Sequence, residues 1–383
     1  MNRIGVVCMA FENTSIHEHF KDLPDPRRNS HTRHLLMDIL AISLCAIVGG
    51  ADNFNDIELF ARSKEEWLRS FLPLPGGIPS HDTFNRVFSM LSPEAFNQCF
   101  IAWTQALAKK LTGVVAIDGK TLRRSFNTAS KTTALHVVSL WSAENELVMG
   151  QIRTAAKSNE ITTIPQLLEM LDIRGCTITI DAMGCQKDIA RKIIGLEADY
   201  VLGLKGNQGN TFDAVKDIFG WEEKEGWRGD FHTQYETLDK DHGRIEGREV
   251  HVIGNLEEFD EFEDWAGLKS IAMVVSTREV TGKKPTVERR YYLSSHEADA
   301  EKIGQAIRAH WGIENKLHWV LDVNFHEDYA RNRIDHSAEN MAMMRHMALN
   351  LMKKEKTSKI SLRGRRLKAS WNDDYILHLL ALQ

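Results

Sequence analysis

Two short runs decide how this chain is read: Val114–Asp118 (VVAID) and Thr177–Asp181 (TITID). Each is a compact, β-branched stretch that ends on an Asp, and a small residue follows at once, Gly119 or Ala182. Runs of this length and composition form buried strands. In α/β sheets, functional groups gather beyond the carboxyl ends of the strands. One Asp at such a point is ordinary turn chemistry. Two in matched settings mark both as candidates for a site.

The flanking sequence fills in a sheet around these two strands. Leu135–Trp141 and Leu147–Arg153 read as strands joined across Ser142–Glu146 into an antiparallel hairpin. Ile164–Leu171 reads as helix, Ile189–Leu196 as helix, Tyr200–Leu204 as strand and Thr211–Phe219 as helix. That order predicts an α/β fold, a mixed sheet flanked by helices. Residues 220–290 interrupt it with glycine, charge and β-branched residues, and strands are expected at Arg248–Ile253 and Ser270–Ser276. They form a β-rich insertion that extends the sheet or projects from it. Helices are expected over about 298–323 and 337–353.

Upstream, residues 10–105 read as a helical domain. Leu35–Gly49 is apolar nearly all round, as a buried helix would be. Asn53–Leu72 is amphipathic, a Pro/Gly break covers 73–79, and Ser80–Leu91 and the run from Ser92-Pro93-Glu94 start with helix signals. The expected units are therefore a helical domain (10–105), an α/β domain (106–355, insertion about 220–290) and a basic C-terminal segment (356–383).

Composition sets limits on this reading. The chain has 383 residues, 43% hydrophobic and 26% charged, which excludes a disordered or collagenous chain. The longest uncharged apolar stretch, Ile39–Ala51, falls short of the roughly 20 residues of a membrane span. The start shows no secretory pattern. The five cysteines (Cys8, Cys45, Cys99, Cys176, Cys185) form no CxxC pair, as expected for scattered thiols in a reducing compartment. The expectation is a cytoplasmic protein.

The net charge of -5 hides segregation. Residues 119–131 carry four basic groups and no acid, and residues 353–368 carry eight basic groups and one acid. Such blocks contact phosphates or form solvated faces and tails.

A third acid stands out on the helix over 298–323. At ~100° per residue, Ile303, Ile307, Trp311 and Leu321 share one arc, and Glu314 falls inside it. A carboxylate on a core-facing stripe costs several kcal/mol unless a cation or metal meets it. If Asp118, Asp181 and Glu314 converge, their repulsion calls for a hard divalent ion with oxygen ligands, such as Mg²⁺. Two such ions can activate an attacking oxygen and stabilise a leaving one, which is the chemistry of phosphodiester cleavage or strand transfer. No Gly-rich phosphate loop competes with this reading.

Five ordered blocks carry a resemblance: AIDGKTLRRS around Asp118, TIDAMGCQ around Asp181, LKGNQ (Leu204–Gln208), HGRIEGRE (His242–Glu249) and HWGIENKLHWVLDVNFHED (His310–Asp328). Together they resemble DDE-type insertion-sequence transposases, and among them the H-repeat-associated proteins. PSHDTFNRVFSML resembles the helical domain that precedes the catalytic core in that group. The resemblance implies an RNase H-like core with Asp118, Asp181 and Glu314 as catalytic, metal-binding triad. It also implies Mg²⁺ or Mn²⁺ as cofactor and double-stranded DNA, element ends and target, as partner. It implies DNA transposition by cleavage and strand transfer, two copies of the chain acting on DNA, and a nucleoid location. The alternative is an idle, DNA-binding relict that keeps the fold. Related families carry Tyr, Arg and Lys at seven and four residues before the Glu and seven after it. Here those positions are Ile307, His310 and Leu321.

Secondary candidates follow from placement. Lys120, Arg123 and Arg124 come directly after the first Asp and are expected to meet DNA phosphates. Lys205, Asn207 and Gln208 follow a strand end and either contact DNA or build a turn. Lys316 lies near Glu314, and Asp322 is a candidate supporting or alternative ligand. His242, Arg244, Glu246 and Arg248 alternate like one face of a strand, as a surface ion-pair ladder would.

Overall fold

The structure, a computed structural model, describes residues 11–28, 32–108, 110–126, 133–154, 160–227, 229, 231–241, 244–280, 282 and 284–382. His242, the other end of the 119–131 basic run from residue 127 on, and Cys8 lie outside these residues.

Six helices come first: α1 (Ser15–Phe20), α2 (Leu36–Val48), α3 (Phe54–Ser63), α4 (Glu65–Leu68), α5 (His81–Met90) and α6 (Pro93–Ala108). Their starts are set by side-chain caps. Thr14, Asn53 and Ser80 each accept a backbone N–H of the first turn, satisfying donors that have no partner inside the helix. α2 is buried along almost its whole length, including Asp38, which accepts the Leu74 N–H at 3.1 Å. The expected single helix over 53–72 is two, because Lys64 leaves helical geometry between α3 and α4 (φ -122°).

The sheet has nine strands: β1 (Val114–Thr121), β2 (His136–Ser142), β3 (Leu147–Thr154), β4 (Thr177–Ile180), β5 (Asp199–Leu204), β6 (His232–Asp241), β7 (Arg244–Ile253), β8 (Ser270–Val280) and β9 (Thr286–Ser294). Their order is β3-β2-β1-β4-β5-β9-β8-β7-β6. β1, β2 and β3 are antiparallel, while β1, β4 and β5 run parallel. This five-strand half is the RNase H-like arrangement. The insertion extends the sheet: β9 pairs with β5, and β8, β7 and β6 follow as an antiparallel meander.

The later helices are α7 (Glu160–Glu169), α8 (Lys187–Gly195), α9 (Gly209–Glu225), α10 (Ala300–Gly312), α11 (Trp319–Asn324), α12 (Ser337–Lys354), α13 (Leu362–Trp371) and α14 (Asp373–Leu380). One apolar core runs without a break from α1–α6 through β1–β5 to α12–α14. α12 is buried along most of its length and touches α2, α5, α6 and β3. It therefore fastens the N-terminal helices to the sheet. A second, smaller core lies under α10, where Ile303, Ala306 and Ile307 meet Val201, Val250, Val252 and Val274.

The C-terminal basic segment is neither a solvated tail nor a free phosphate-binding arm. It folds as α13 and α14, with Ile376, Leu379 and Leu380 buried. Arg366 is buried too; its guanidinium donates to the Ile47 carbonyl at 3.2 Å and lies over the Phe325 ring. The apolar stripe of α14 outweighs the local charge. Among the described residues no helix is long and apolar enough to cross a membrane.

Candidate active site

β1 and β4 are parallel neighbours in register, Ile117 opposite Ile180. Asp118 and Asp181 are the residues that follow this pair, so they stand on neighbouring chains about the 4.8 Å interstrand spacing apart. Asp181 lies just past the end of β4, but Asp118 does not end β1, whose pairing with β2 continues to Thr121. The Asp181 carboxylate also accepts the N–H of Met183 at 3.0 Å, so the turn role and the site role fall on one residue. Gly119 follows Asp118 for a steric reason. A Cβ there would come within 2.6 Å of the His136 ring and 2.3 Å of the Glu160 carboxylate, a buried pair at 2.5 Å from each other.

Glu314 departs from the sequence reading. It is exposed and does not lie in the core-facing stripe. After α10 the chain makes a π-helical turn, Ile313–His318. A π turn adds a residue to the repeat, so the buried positions shift to Ile313, Leu317 and Leu321. Glu314 needs no buried cation to be tolerated there, and the desolvation reasoning that singled it out does not apply. Its place beside the strand ends stands on other contacts.

The π turn packs against β1, and His310 and His318, four residues to either side of Glu314, make the polar contacts there. The His310 ring is 3.0 Å from the Thr179 hydroxyl on β4. Burial pushes the His310 pKa down, and the charges of Asp118, Glu314 and Asp181 together oppose that shift without overcoming it. His310 therefore lies within electrostatic reach of all three carboxylates. His318 Nε2 is 3.3 Å from the Asp118 carboxylate. Burial would raise the Asp118 pKa, but His318, then His310 and the Gly119 N–H, hold it below the usual carboxylate value. Neither histidine was assigned a role from sequence, although both lie four residues from Glu314.

Lys120 is a correction. Its ammonium does not face open solvent; it is 2.5 Å from Asp322 and 2.9 Å from Glu327. Glu327 is 2% exposed. Burial would lower the Lys120 pKa, and Glu327 and Asp322 raise it. Lys120 thus clamps β1 to α11 and the turn behind it, and Asp322 serves that clamp. The partners lie about two hundred residues away in sequence, beyond the reach of local pattern.

The other candidates divide. Arg123 is largely exposed, 3.4 Å from Asp328, and the Arg124 guanidinium stacks 4.8 Å over the exposed Tyr329 ring. Lys205 is exposed. Asn207 donates to the Ala182 carbonyl at 2.7 Å and Gln208 to the Cys185 carbonyl at 2.8 Å. These two brace the loop that follows Asp181. Lys316 pairs with Glu146 at 2.5 Å on the surface. Arg244, Glu246 and Arg248 do form an ion-pair ladder on β7.

Among the described residues, no Lys or Arg forms an ion pair with Asp118, Asp181 or Glu314, and no three His, Cys, Asp or Glu side chains are set to enclose one ion. The two aspartates, on neighbouring strands, are oxygen donors of the kind a hard divalent cation takes, whereas Glu314 lies exposed on the π turn and does not close a three-carboxylate cage with them.

The class defined by this fold is an α/β protein with an RNase H-like strand order, carrying Asp118 and Asp181 on neighbouring parallel strands. Residues 109–351 match the family model described as "Transposase DDE domain", and residues 17–104 match that described as "DDE_Tnp_1-associated". The chain belongs to the DDE transposase family. It is 42% identical over 372 residues to "Putative transposase YncI" of Escherichia coli O157:H7, covering 96% of this chain and 94% of that one. It is also 42% identical to "H repeat-associated putative transposase YhhI" of Escherichia coli K12, covering 95% of this chain and 97% of that one. A third relative from the same strain is named "Inactive transposase YbfQ", 39% identical over 72 residues that cover 19% of this chain and 86% of that one. A piggyBac transposase synaptic complex with hairpin DNA superposes at a TM-score of 0.41 and 12% identity, covering 95% of this chain and 77% of that one. That likeness is too loose to argue from.

Proposed function

We propose that this chain cleaves DNA phosphodiester bonds at the ends of an insertion element and joins the freed 3′-hydroxyl to target DNA, with Asp118, Asp181 and Glu314 holding Mg²⁺ or Mn²⁺. The observation that supports this reading is the placement of Asp118 and Asp181 on adjacent parallel strands, with the Glu314 turn packed against β1 and no Lys or Arg ion-paired to any of the three among the described residues. Divalent ions bound there would activate the attacking oxygen and stabilise charge on the leaving one. The chain's own groups prepare the site. His318 and His310 offset the burial of Asp118 and hold its pKa below the usual carboxylate value. Asn207 and Gln208 hold the Asp181 loop, and Lys120 holds the β1 end against α11.

DNA phosphates fall to Arg123, Arg124, Lys205 and Lys316, which lie exposed on the elements around the site. Phosphate contacts fix the duplex in register and make binding salt-dependent. Two copies of the chain would engage two element ends in the nucleoid. The test is cleavage and joining of a supercoiled plasmid carrying the DNA that flanks this gene, with Mg²⁺ or Mn²⁺, beside Asp118→Ala, Asp181→Ala and Glu314→Ala. Nicked ends and joined products with the native chain, and neither with the three variants, support the proposal. DNA binding without metal-dependent cleavage would leave an idle relict.

A further inference from the structure

The HGRIEGRE segment and the long meander β6–β9 have no part in the carboxylate chemistry. Between that meander and the α10–π-turn run lies a cleft of about 1130 Å³. It begins where the apolar seam of α10 on the sheet ends. Among the described residues lining it, six are basic (Arg244, Arg248, Arg278, Arg290, Arg308, Lys316) and three are acidic. Lys316, two residues beyond Glu314, places one end of the cleft beside the carboxylate site.

The ion pairs inside it are unevenly shared. Glu246 takes Arg248 at 2.6 Å, Arg244 at 2.9 Å and Arg278 at 3.8 Å. Asp239 takes Arg248 at 2.7 Å and Arg308 at 3.6 Å. Asp239 and Glu246 are also directly opposed across β6 and β7, where like charges repel; Arg248 bridges them. Arg278 and Arg308 are more than half exposed and hold only the longest of these contacts. At the inner end the Arg290 guanidinium covers the Trp311 ring at 5.0 Å. Arg290 is itself held by Glu288 at 2.9 Å, and a positive groove that carries such stacked Arg and aromatic groups is a recurring means of holding a single nucleic-acid strand. A volume of about 1130 Å³ holds only a few nucleotides of one strand, much less than a turn of duplex.

We propose that this cleft takes the sugar–phosphate backbone of an unpaired DNA strand leading away from the carboxylate site, and that Glu246 stands in for a phosphate until the strand arrives. The proposal rests on the reading of the chain as a DNA enzyme. Phosphate oxygens would draw Arg244, Arg248 and Arg278 from the carboxylate they share, each contact being charge-assisted and bidentate in geometry.

The test is fluorescence anisotropy with the full chain, a labelled oligothymidine and a labelled duplex, in Ca²⁺ over a range of salt. Arg278→Ala with Arg308→Ala removes only exposed, loosely paired side chains. It should weaken oligothymidine binding about tenfold and lower the salt slope by about 0.7 per lost phosphate contact, with duplex affinity within about twofold. Glu246→Gln, checked for an unchanged circular-dichroism melt, should tighten oligothymidine binding severalfold. Unchanged oligothymidine affinity in the double variant, weaker binding in Glu246→Gln, or equal loss on duplex would overturn the proposal. If the native chain binds duplex but not oligothymidine, the cleft proposal falls and the transposase reading stands. If it binds neither DNA, both fall.

Discussion

Replacing Lys120 with Met tests whether this residue holds the site together or touches DNA. The substitution keeps the length of the side chain and removes its charge. It leaves Glu327, 2% exposed, without the ammonium 2.9 Å away. Burial already pushes the Glu327 pKa up, and Lys120 is the strongest group holding it down, ahead of His346 and Arg345. Removing one partner of a buried ion pair costs about 3–5 kcal/mol. Arg345 and His346 still face Glu327, so the low end, about 3 kcal/mol, is expected. Urea unfolding followed by tryptophan fluorescence measures it, and Lys120→Met with Glu327→Gln completes a double-mutant cycle. The double variant removes the stranded Glu327 charge but also takes that carboxylate from buried Arg345, so it should recover part of the loss and leave a non-additive cycle. Duplex DNA affinity at fixed salt should change by less than about twofold. A stability loss below about 1 kcal/mol, or an additive cycle, would refute the clamp. A large drop in DNA affinity at unchanged stability would return Lys120 to the phosphates.

Asn207→Ala or Gln208→Ala should slow DNA cleavage about 10- to 100-fold, as loss of a supporting shell does elsewhere, while gel-shift affinity for duplex stays unchanged. Arg124→Ala should weaken duplex binding at all sequences and lower the salt slope by about 0.9, measured by anisotropy. His346 is buried, and burial first of all lowers its pKa from 6.5 to about 4. The unfolded chain then binds the proton more readily than the folded one. The neutral ring's contribution is full above 6.5 and is lost as pH falls toward 4, roughly 3 kcal/mol over that window. Urea midpoints across the window should therefore fall more steeply for the native chain than for His346→Gln.

Much of the architecture was legible because it depends on local pattern. VVAID and TITID are short and apolar, and they became β1 and β4; Asp181 follows the end of β4, but β1 runs on past Asp118 to Thr121 because its pairing with β2 continues there. Ser80 and Pro93 marked helix starts through capping chemistry that acts within one turn. The insertion was legible as β-rich, but its choice between projecting and extending the sheet depended on β9 pairing with β5, a contact between residues some ninety positions apart. Glu314 was singled out by a phase that assumed an unbroken α-helix, and the π turn at Ile313–His318 changes that phase. The basic C-terminal run was read by charge, whereas Ile376, Leu379 and Leu380 decide where it goes. Lys120 illustrates the same limit, since nothing near it in sequence announces Asp322 and Glu327.

The most direct test is a crystal of the full chain soaked in Mn²⁺ and examined by anomalous scattering at the manganese edge. The account predicts at least one anomalous peak within coordination distance of Asp118, Asp181 and Glu314, lost in Asp118→Ala. Manganese bound elsewhere, or a site whose three carboxylates stay empty at saturating Mn²⁺, would contradict it.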